Sequence, residues 1–171
     1  MDLRFLHMNI DSSRIGCVAE IACALKLTEQ DYPVFQPFGN FLPYDLIADV
    51  NGVLIKIQVK SARLLKDRKR KQALRCESQR KTYKKGRSVR VPYKKKDFDF
   101  AACYFPLTEE FFIVPFDQFT KGSDFNITES KRSLYCNAWH LLEEFAASQA
   151  RWCERLAFNP ISEESDSPAG H

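Results

Sequence analysis

Residues 44–60 carry the sequence YDLIADVNGVLIKIQVK, two aliphatic runs joined by Asn51-Gly52. An Asn-Gly pair between strand-like runs predicts a two-residue type I′ turn, because both central residues of that turn need positive φ. Such a turn sets Val50 opposite Val53, and the other pairs follow from that one. The segment therefore predicts an antiparallel β-hairpin of defined register.

The two faces of this predicted hairpin differ in polarity, because successive side chains of a strand point to opposite sides. One face carries Asp45 directly opposite Gln58, with Lys60 two residues further on. The other face is apolar and is predicted to lie in the core; it consists of Tyr44, Leu46, Ala48, Val50, Val53, Ile55, Ile57 and Val59.

The rest of the chain mixes helical and strand-like patterns. Residues 11–13, Asp-Ser-Ser, supply N-cap side chains for a helix that is apolar around most of its circumference, which predicts burial. The predicted elements are this helix over 14–27, strands over 32–36, 98–105 and 111–116, and a helix over 137–158. In the last helix one stripe is expected to hold Leu141, Leu142, Phe145, Trp152 and Leu156.

Basic charge is concentrated in residues 61–96, which contain 16 Lys and Arg against two acids in a chain of net charge +4. This segment has a charge of +14, and the remainder of the chain has a charge of −10. Solubility does not require such asymmetry, which favours a polyanionic partner, most commonly a nucleic acid. A solvated basic loop is the alternative.

Within this basic segment we predict a second hairpin, with strands over about 73–78 and 87–92 and a tip at Lys84-Lys85-Gly86. A two-stranded β-ribbon fits the major groove of double-stranded DNA. The side chains predicted to contact DNA are those of Arg75, Arg80, Lys84, Lys85, Arg87 and Arg90.

Length and composition predict one domain over 1–158, with the basic segment 61–96 as an insertion, and a disordered tail over 159–171. No apolar run reaches the ~20 residues that a membrane span needs, and the amino terminus does not resemble a secretory signal. We therefore expect a cytoplasmic protein, associated with the nucleoid when bound to DNA. The six cysteines contain no C-x-x-C pair, which indicates reduced, partly buried thiols rather than a zinc site.

Metal-assisted phosphodiester hydrolysis is a chemistry that suits the polar hairpin face. Opposed side chains at Asp45 and Gln58 have Cβ atoms about 5 Å apart, so oxygens of both can reach one Mg²⁺ ion. Lys60 can orient or deprotonate the attacking water, or offset developing negative charge. The hairpin by itself is equally compatible with an ordinary solvent-facing surface.

Glu20 lies in the predicted first helix among apolar neighbours, where a carboxylate must be paired, hydrogen-bonded or metal-bound to offset its desolvation. Gly16 and Cys23 leave little bulk on the same strip of the helix, so Glu20 can reach the face of Asp45 and Gln58. A core glutamate capped by backbone amides is the alternative.

These residues resemble a known family in their order and spacing. Gly16-x-x-x-Glu20, Tyr44-Asp45 and Gln58-Val59-Lys60-Ser61 resemble the PD-(D/E)xK nuclease superfamily, and most closely its group I intron-associated homing endonucleases. The resemblance covers roughly residues 13–116 and includes Asp97 and Asp99, which we interpret as structural. It departs from the family pattern in the neutral amide at position 58 and in Pro43, which is two residues before Asp45.

The resemblance implies an α/β (α+β) fold with a restriction-endonuclease-like core, in which a mixed central β-sheet is flanked by helices and carries an inserted basic β-hairpin. It implies that Glu20 and Asp45 bind a divalent metal, Mg²⁺ with Mn²⁺ as a substitute. Gln58 takes the place of the usual acidic ligand, and Lys60 is the catalytic lysine.

Three functions remain open from the sequence. One is site-specific cleavage of double-stranded DNA, of the intron-homing type, and another is cleavage of four-way junctions in the manner of a Holliday-junction resolvase. The third is a non-catalytic nucleic-acid-binding module with a decayed metal site. Because one active site nicks one strand, cutting a duplex at a defined place also predicts a homodimer or homotetramer.

Overall fold

The computed structural model of the chain describes residues 11–39, 41–64 and 74–158. Over these residues it has four helices, α1 (Ser12–Glu29), α2 (Phe116–Phe119), α3 (Glu129–Tyr135) and α4 (His140–Phe158). It has ten strands, β1 (Val34–Phe35), β2 (Leu46–Val50), β3 (Val53–Ser61), β4 (Arg63–Leu64), β5 (Leu74–Glu77), β6 (Gln79–Lys84), β7 (Arg87–Pro92), β8 (Phe100–Phe105), β9 (Glu110–Pro115) and β10 (Asp124–Ile127). None of the helices in the described ranges is long and apolar enough to cross a membrane. The predicted tail, 159–171, lies outside the described residues.

Five strands form a central sheet in the order β1-β2-β3-β8-β9. The middle strand, β3, pairs antiparallel with β2 and parallel with β8, so the sheet is mixed, as predicted. The two aromatic-rich runs near the middle of the chain form the β8–β9 hairpin, whose register pairs Ala102 with Ile113. A separate three-stranded sheet has the order β10-β5-β4.

The β2–β3 hairpin has the register that the Asn-Gly turn predicted, with Val50 opposite Val53. Asn51 and Gly52 have φ values of 54° and 82°, which is the backbone conformation that a type I′ turn requires. The Asp49 carboxylate accepts a hydrogen bond from the Gly52 amide (2.8 Å) and stabilises the turn. The ladder stops at Leu46, so Asp45 lies one residue before β2, with its amide still donating to the Ile57 carbonyl (2.9 Å).

The central sheet is covered on both faces. Helices α1 and α4 pack on one face, where the apolar side of the β2–β3 hairpin is buried with Ala19, Cys23, Leu27, Leu142 and Ala146. On the other face β5, β10 and α2 pack against the sheet through Leu74, Cys76, Phe116, Phe119, Phe125 and Ile127. Tyr44 packs against this second cluster, contrary to the prediction, because it precedes the strand and does not follow its alternation.

The first helix begins at the predicted N-cap, where the Asp11 carboxylate accepts a hydrogen bond from the Ser13 amide. Its predicted complete burial is wrong. Only the side that meets the sheet is buried, and the opposite side exposes Val18, Leu25 and Ile21, the last to 64%. A helix that covers one sheet face has one packing partner, so apolar residues around its circumference cannot all be enclosed.

The last helix also departs from its predicted stripe. Leu141, Leu142 and Phe145 contact the core, whereas Trp152 is 59% exposed. Phe145 and Cys153 line the same cavity beside the β2–β3 turn, and Trp152 lies about 100° round the helix from Cys153. The Leu156 side chain lies outside what the structure describes.

The basic hairpin is formed by β6 and β7, which pair antiparallel from Gln79 opposite Pro92 to Lys84 opposite Arg87. Its tip, Lys85-Gly86, and its second strand agree with the prediction. Its predicted first strand is wrong, because the segment from Leu74 to Glu77 is β5 and pairs with β10 and β4. Leu74 and Cys76 are buried, and this burial places β5 on the core. Ala73 lies outside the described residues.

All six cysteines are free; Cys23, Cys76 and Cys103 are buried, whereas Cys17 and Cys153 are exposed. Asp97 and Asp99 have the structural roles assigned to them. The Asp97 carboxylate accepts from the Lys94 amide (2.9 Å), and the Asp99 carboxylate accepts from the Lys56 amide (2.8 Å). Both acids therefore stabilise the entry into β8.

Candidate active site

Asp45 is held in place where the β2–β3 hairpin opens. Its Oδ2 accepts a hydrogen bond from the Val59 amide (2.7 Å) and a second from the Gln58 side-chain amide. Both bonds use the same oxygen, so Oδ1 takes part in neither. The carboxylate is partly buried and needs little reorganisation to bind a ligand through its other oxygen.

Gln58 is buried, with 7% of its surface exposed. Its Nε2 donates to Asp45 Oδ2 and to the Val59 carbonyl (3.1 Å). Because both partners are acceptors, the amide nitrogen must face them and Oε1 faces elsewhere. A carboxylate at this position has no hydrogen to donate and would repel Asp45, so a neutral amide suits the geometry of this site.

Glu20 projects from α1 and is half-buried. Burial is the largest cause that raises the pKa of Glu20, the negative charge of Asp45 raises it further, and Lys60 lowers it. Asp45 also adds to the effect of burial in raising the pKa of the Cys23 thiol, one turn further along α1. The strip of α1 that carries Glu20 and Cys23 therefore lies within electrostatic reach of Asp45.

Lys60 lies near the end of β3 and supplies the positive charge of the site. Burial raises the pKa of Asp45. The hydrogen bond from the Val59 amide, the charge of Lys60 and the hydrogen bond from Gln58 each lower it, but burial outweighs them and the pKa stays above its ordinary value. Glu20 and Asp45 thus both hold their protons more tightly than ordinary carboxyl groups. The structure brings Glu20, Asp45, Gln58 and Lys60 together, although the first lies 25 residues or more before the others in the sequence.

The chemistry of the oxygens in this site fits a hard divalent cation. Two carboxylates and one amide oxygen are ligands that Mg²⁺ and Mn²⁺ prefer. Burial outweighs the charge of Lys60 and raises the pKa of both Glu20 and Asp45, so a cation held by these oxygens would supply positive charge that the site lacks. Within the ranges that the structure describes, no group of three or more His, Cys, Asp and Glu side chains is placed to hold a metal. Gln58 as a third ligand stays a prediction, since its Nε2 and not its Oε1 faces Asp45.

Comparisons with known proteins identify the family of the chain. Residues 10–142 match a family model described as PD-(D/E)XK endonuclease, which covers more than half of the chain and includes all four site residues. The chain belongs to the PD-(D/E)XK endonuclease family. Enzymes of this family are nucleases and generally use divalent metals, so nuclease activity follows from membership.

A solved structure of a bacterial homing endonuclease, I-Ssp6803I, is similar to this PD-(D/E)XK endonuclease. The two chains share 32% sequence identity and superpose with a TM-score of 0.70. The matched region covers 82% of this chain and 99% of the other. No curated protein sequence matches the chain.

The residues predicted to contact DNA fall into two groups in this PD-(D/E)XK endonuclease. Arg80, Lys85 and Arg87 are exposed on the β6–β7 hairpin. Lys84 is the last residue of β6, and its side chain lies outside what the structure describes. Arg90 is also on the hairpin, but its guanidinium donates to Glu77 (2.9 Å). Its predicted DNA contact therefore competes with an internal ion pair.

Arg75 lies apart from the hairpin, on β5. Its Nε donates to the Asn126 side chain (3.3 Å), and its guanidinium lies 3.6 Å from the Asp124 carboxylate. The sequence predicts Arg75 on the hairpin because the predicted first strand, about 73–78, comes before the strand that forms the hairpin, β6. A contact of Arg75 with DNA stays a prediction, at a surface separate from the hairpin.

Two residues with a bearing on the site were missed by sequence reasoning. Lys81 is exposed on β6 directly opposite Arg90, and correct strand bounds would have revealed it by alternation. Tyr93 places its ring under the Lys60 ammonium, with 5.5 Å from Nζ to the ring centroid. No sequence signal relates Tyr93 to Lys60, because Lys60 is on β3 and Tyr93 follows β7, a strand that does not pair with β3.

Proposed function

We propose that the chain is a site-specific, metal-dependent DNA endonuclease of the homing type, in which Glu20, Asp45 and Gln58 hold Mg²⁺ and Lys60 is the catalytic lysine. The observation that carries the proposal is the arrangement around Asp45. This carboxylate is fixed by Val59 and Gln58 and lies within reach of the charges of both Glu20 and Lys60. The catalytic domain spans 1–158 and carries 61–96 as its DNA-binding insertion.

The residues of the site have separate roles in hydrolysis. Glu20, Asp45 and Gln58 would hold a divalent cation, which would supply charge neutralisation at the scissile phosphate and a more nucleophilic water. Lys60 donates hydrogen bonds to a phosphate oxygen and offsets the negative charge that develops there. Glu20 and Asp45 hold protons more tightly than usual, so cation binding at the site releases protons and strengthens as pH rises.

The basic hairpin extends from the same region. Tyr93, beside Lys60, directly follows the last residue of β7, so the hairpin starts next to the proposed catalytic lysine. Its six residue pairs span about 20 Å, enough for a two-stranded ribbon to follow a DNA groove away from the scissile phosphate. The exposed cations of the hairpin that contact DNA in this proposal are Arg80, Lys81, Lys85 and Arg87.

Two copies of the chain act together in this proposal. A site built around one Asp45 and one Lys60 hydrolyses one strand, whereas a cut through both strands at a defined place needs two sites in fixed relation. A symmetric homodimer or homotetramer supplies them and favours a partly palindromic target.

The test is a cleavage panel with a library of duplex DNA and a synthetic four-way junction, each with Mg²⁺, with Mn²⁺ and with EDTA. We expect cation-dependent cutting of duplex at one or a few sequences. Cutting of junctions of unrelated sequence, with duplex left intact, would instead identify a structure-specific resolvase. DNA binding without cutting under any of these conditions would refute catalysis and leave a binding module.

Neutralising the hairpin tip is expected to weaken DNA binding without changing the chemistry. The double variant Lys85→Ala/Arg87→Ala removes two exposed cations. The association constant for DNA should therefore depend less on salt, and the slope of its logarithm against the logarithm of salt concentration should become shallower by about 1.8, at roughly 0.9 per phosphate contact. Fluorescence anisotropy over a salt series measures this slope. The single-turnover rate at saturating DNA should stay within about twofold of wild type, since no reacting group is removed.

The matched control is Arg151→Ala, which removes an exposed cation from α4. Its neighbour Ala150 lines a cavity with Gly52, at the end of β3 remote from Lys60. A loss of about 0.9 in this control, equal per cation removed, would mean that binding depends on net charge alone and not on the hairpin.

A further inference from the structure

The ring of Tyr93 lies under the ammonium group of Lys60. The Nζ atom is 5.5 Å from the ring centroid, within the distance at which a cation is attracted to an aromatic face. Lys60 is only partly buried and its side chain has four rotatable bonds, so the backbone of β3 alone does not fix where its charge lies. The aromatic contact restricts that freedom.

Tyr93 is itself held firmly. Only 8% of its surface is exposed, and its ring packs edge-on against Phe98 at 4.9 Å between centroids. Phe98 is fully buried and packs in turn against Phe116 (5.0 Å). The backbone that follows is also fixed, since the Asp97 carboxylate accepts from the Lys94 amide. The Lys60 ammonium thus rests on a ring anchored in the core.

The position of Tyr93 in the chain adds a second consequence. It is the first residue after β7, so the same short segment connects the basic hairpin to the ring that contacts Lys60. The charge of Lys60 also acts on Glu20 and Asp45. Lys60 therefore contacts an aromatic ring at the base of the hairpin and lies within electrostatic reach of both acids.

We propose that Tyr93 is a positioning residue for Lys60: its ring holds the ammonium beside Asp45 and Glu20, so that Lys60 meets the scissile phosphate of DNA bound by the hairpin. This inference rests on the proposed function, because it assigns Tyr93 a part in catalysis only through Lys60. The hydroxyl of Tyr93 has no role in it, since the attraction comes from the ring face.

The experiment compares Tyr93→Leu, Tyr93→Phe and Phe116→Leu by single-turnover cleavage at saturating DNA and cation. Tyr93→Leu should lower the rate about 3- to 30-fold with an unchanged Kd for DNA, while Tyr93→Phe should stay within about twofold of wild type. Phe116→Leu is the matched control. It removes another ring that packs on Phe98 and lies under a lysine, Lys95 at 5.3 Å, which is not part of the site.

Each result decides for or against the proposal. A wild-type rate in Tyr93→Leu overturns it, as does an equal loss in Phe116→Leu, which would indicate general loosening of the core. An equal loss in Tyr93→Phe would assign the effect to the hydroxyl and also overturn it. Thermal unfolding of all three variants sets a temperature at which each is fully folded.

A second readout does not depend on activity. In wild type the NMR signals of the Lys60 Hε protons should be shifted upfield by the Tyr93 ring current, and this shift should persist in Tyr93→Phe and vanish in Tyr93→Leu. An unshifted Lys60 signal in wild type overturns the contact. A shifted signal in a wild-type protein that cuts no DNA would instead refute the proposed function, so the two failures are distinguishable.

Discussion

Lys60→Ala is expected to slow single-turnover cleavage about 100- to 1,000-fold, the range found when one donor that stabilises transition-state charge is removed. The Kd for DNA should change by less than about threefold, because the hairpin cations remain. Lys60 lowers the pKa of Glu20 and Asp45 and would likewise repel a cation bound there, so its loss changes the cation affinity as well as the rate. The rate must therefore be measured at saturating cation.

Lys56→Ala is the matched control for this prediction. Lys56 lies on the same strand and the same face as Lys60, and its Nζ donates to the Lys96 carbonyl (2.8 Å). Its loss should lower the Tm slightly and leave the cleavage rate within about twofold of wild type. Equal inactivation of both variants would show that any cation on this face suffices, contrary to a specific role for Lys60.

Asp45→Asn should abolish cation binding and lower the cleavage rate more than about 100-fold, since a bound cation supplies several kcal/mol of transition-state stabilisation. The asparagine oxygen can still accept the hydrogen bonds from Val59 and Gln58, so the fold is preserved. Calorimetric titration with Mn²⁺, without DNA, measures the loss of binding directly. Retention of wild-type Mn²⁺ affinity would refute Asp45 as a ligand.

The same variant should be more stable than wild type in the absence of metal. The raised pKa values of Asp45 and Glu20 mean that the folded chain binds more protons at the site than the unfolded chain, so stability falls as pH rises through this window. Asp45→Asn removes one of these charges, and its Tm at neutral pH with EDTA should rise by about 1–3 °C. At pH 3, where both carboxyl groups are protonated, the difference should disappear.

Asp49→Asn is the matched control for Asp45→Asn. It removes the same negative charge four residues further along the chain, near the other end of β2. Asp49 accepts from the Gly52 amide in the hairpin turn and is remote from Lys60. Both Mn²⁺ binding and cleavage should match wild type in this variant. Inactivity of Asp49→Asn would indicate that the hairpin as a whole, and not Asp45, is sensitive to loss of charge.

Prediction from sequence succeeded where pairing is local. The Asn51-Gly52 turn gave the register of β2 and β3, because a two-residue turn with positive φ at both positions leaves one way for the strands to pair. The prediction of strand pairing failed for β5. Leu74 and Cys76 are buried in the core, and their strand pairs with β10, about 50 residues further along the chain. A pattern of alternating residues shows that a strand exists but does not show its partner.

The chain's own sequence determined the register of the β2–β3 hairpin, at whose open end Asp45, Gln58 and Lys60 lie, and the concentration of basic charge between Ser61 and Lys96. The sequence left open whether Glu20 reaches Asp45 or is a core glutamate capped by backbone amides. The tertiary structure decided it, because the side of α1 that meets the sheet depends on how the helix and the sheet pack. It likewise placed the Tyr93 ring under Lys60 and left Ile21 exposed. The conformation of a turn depends on neighbouring residues and can be read from the sequence, whereas the burial of a side chain depends on packing between elements that are far apart in the chain.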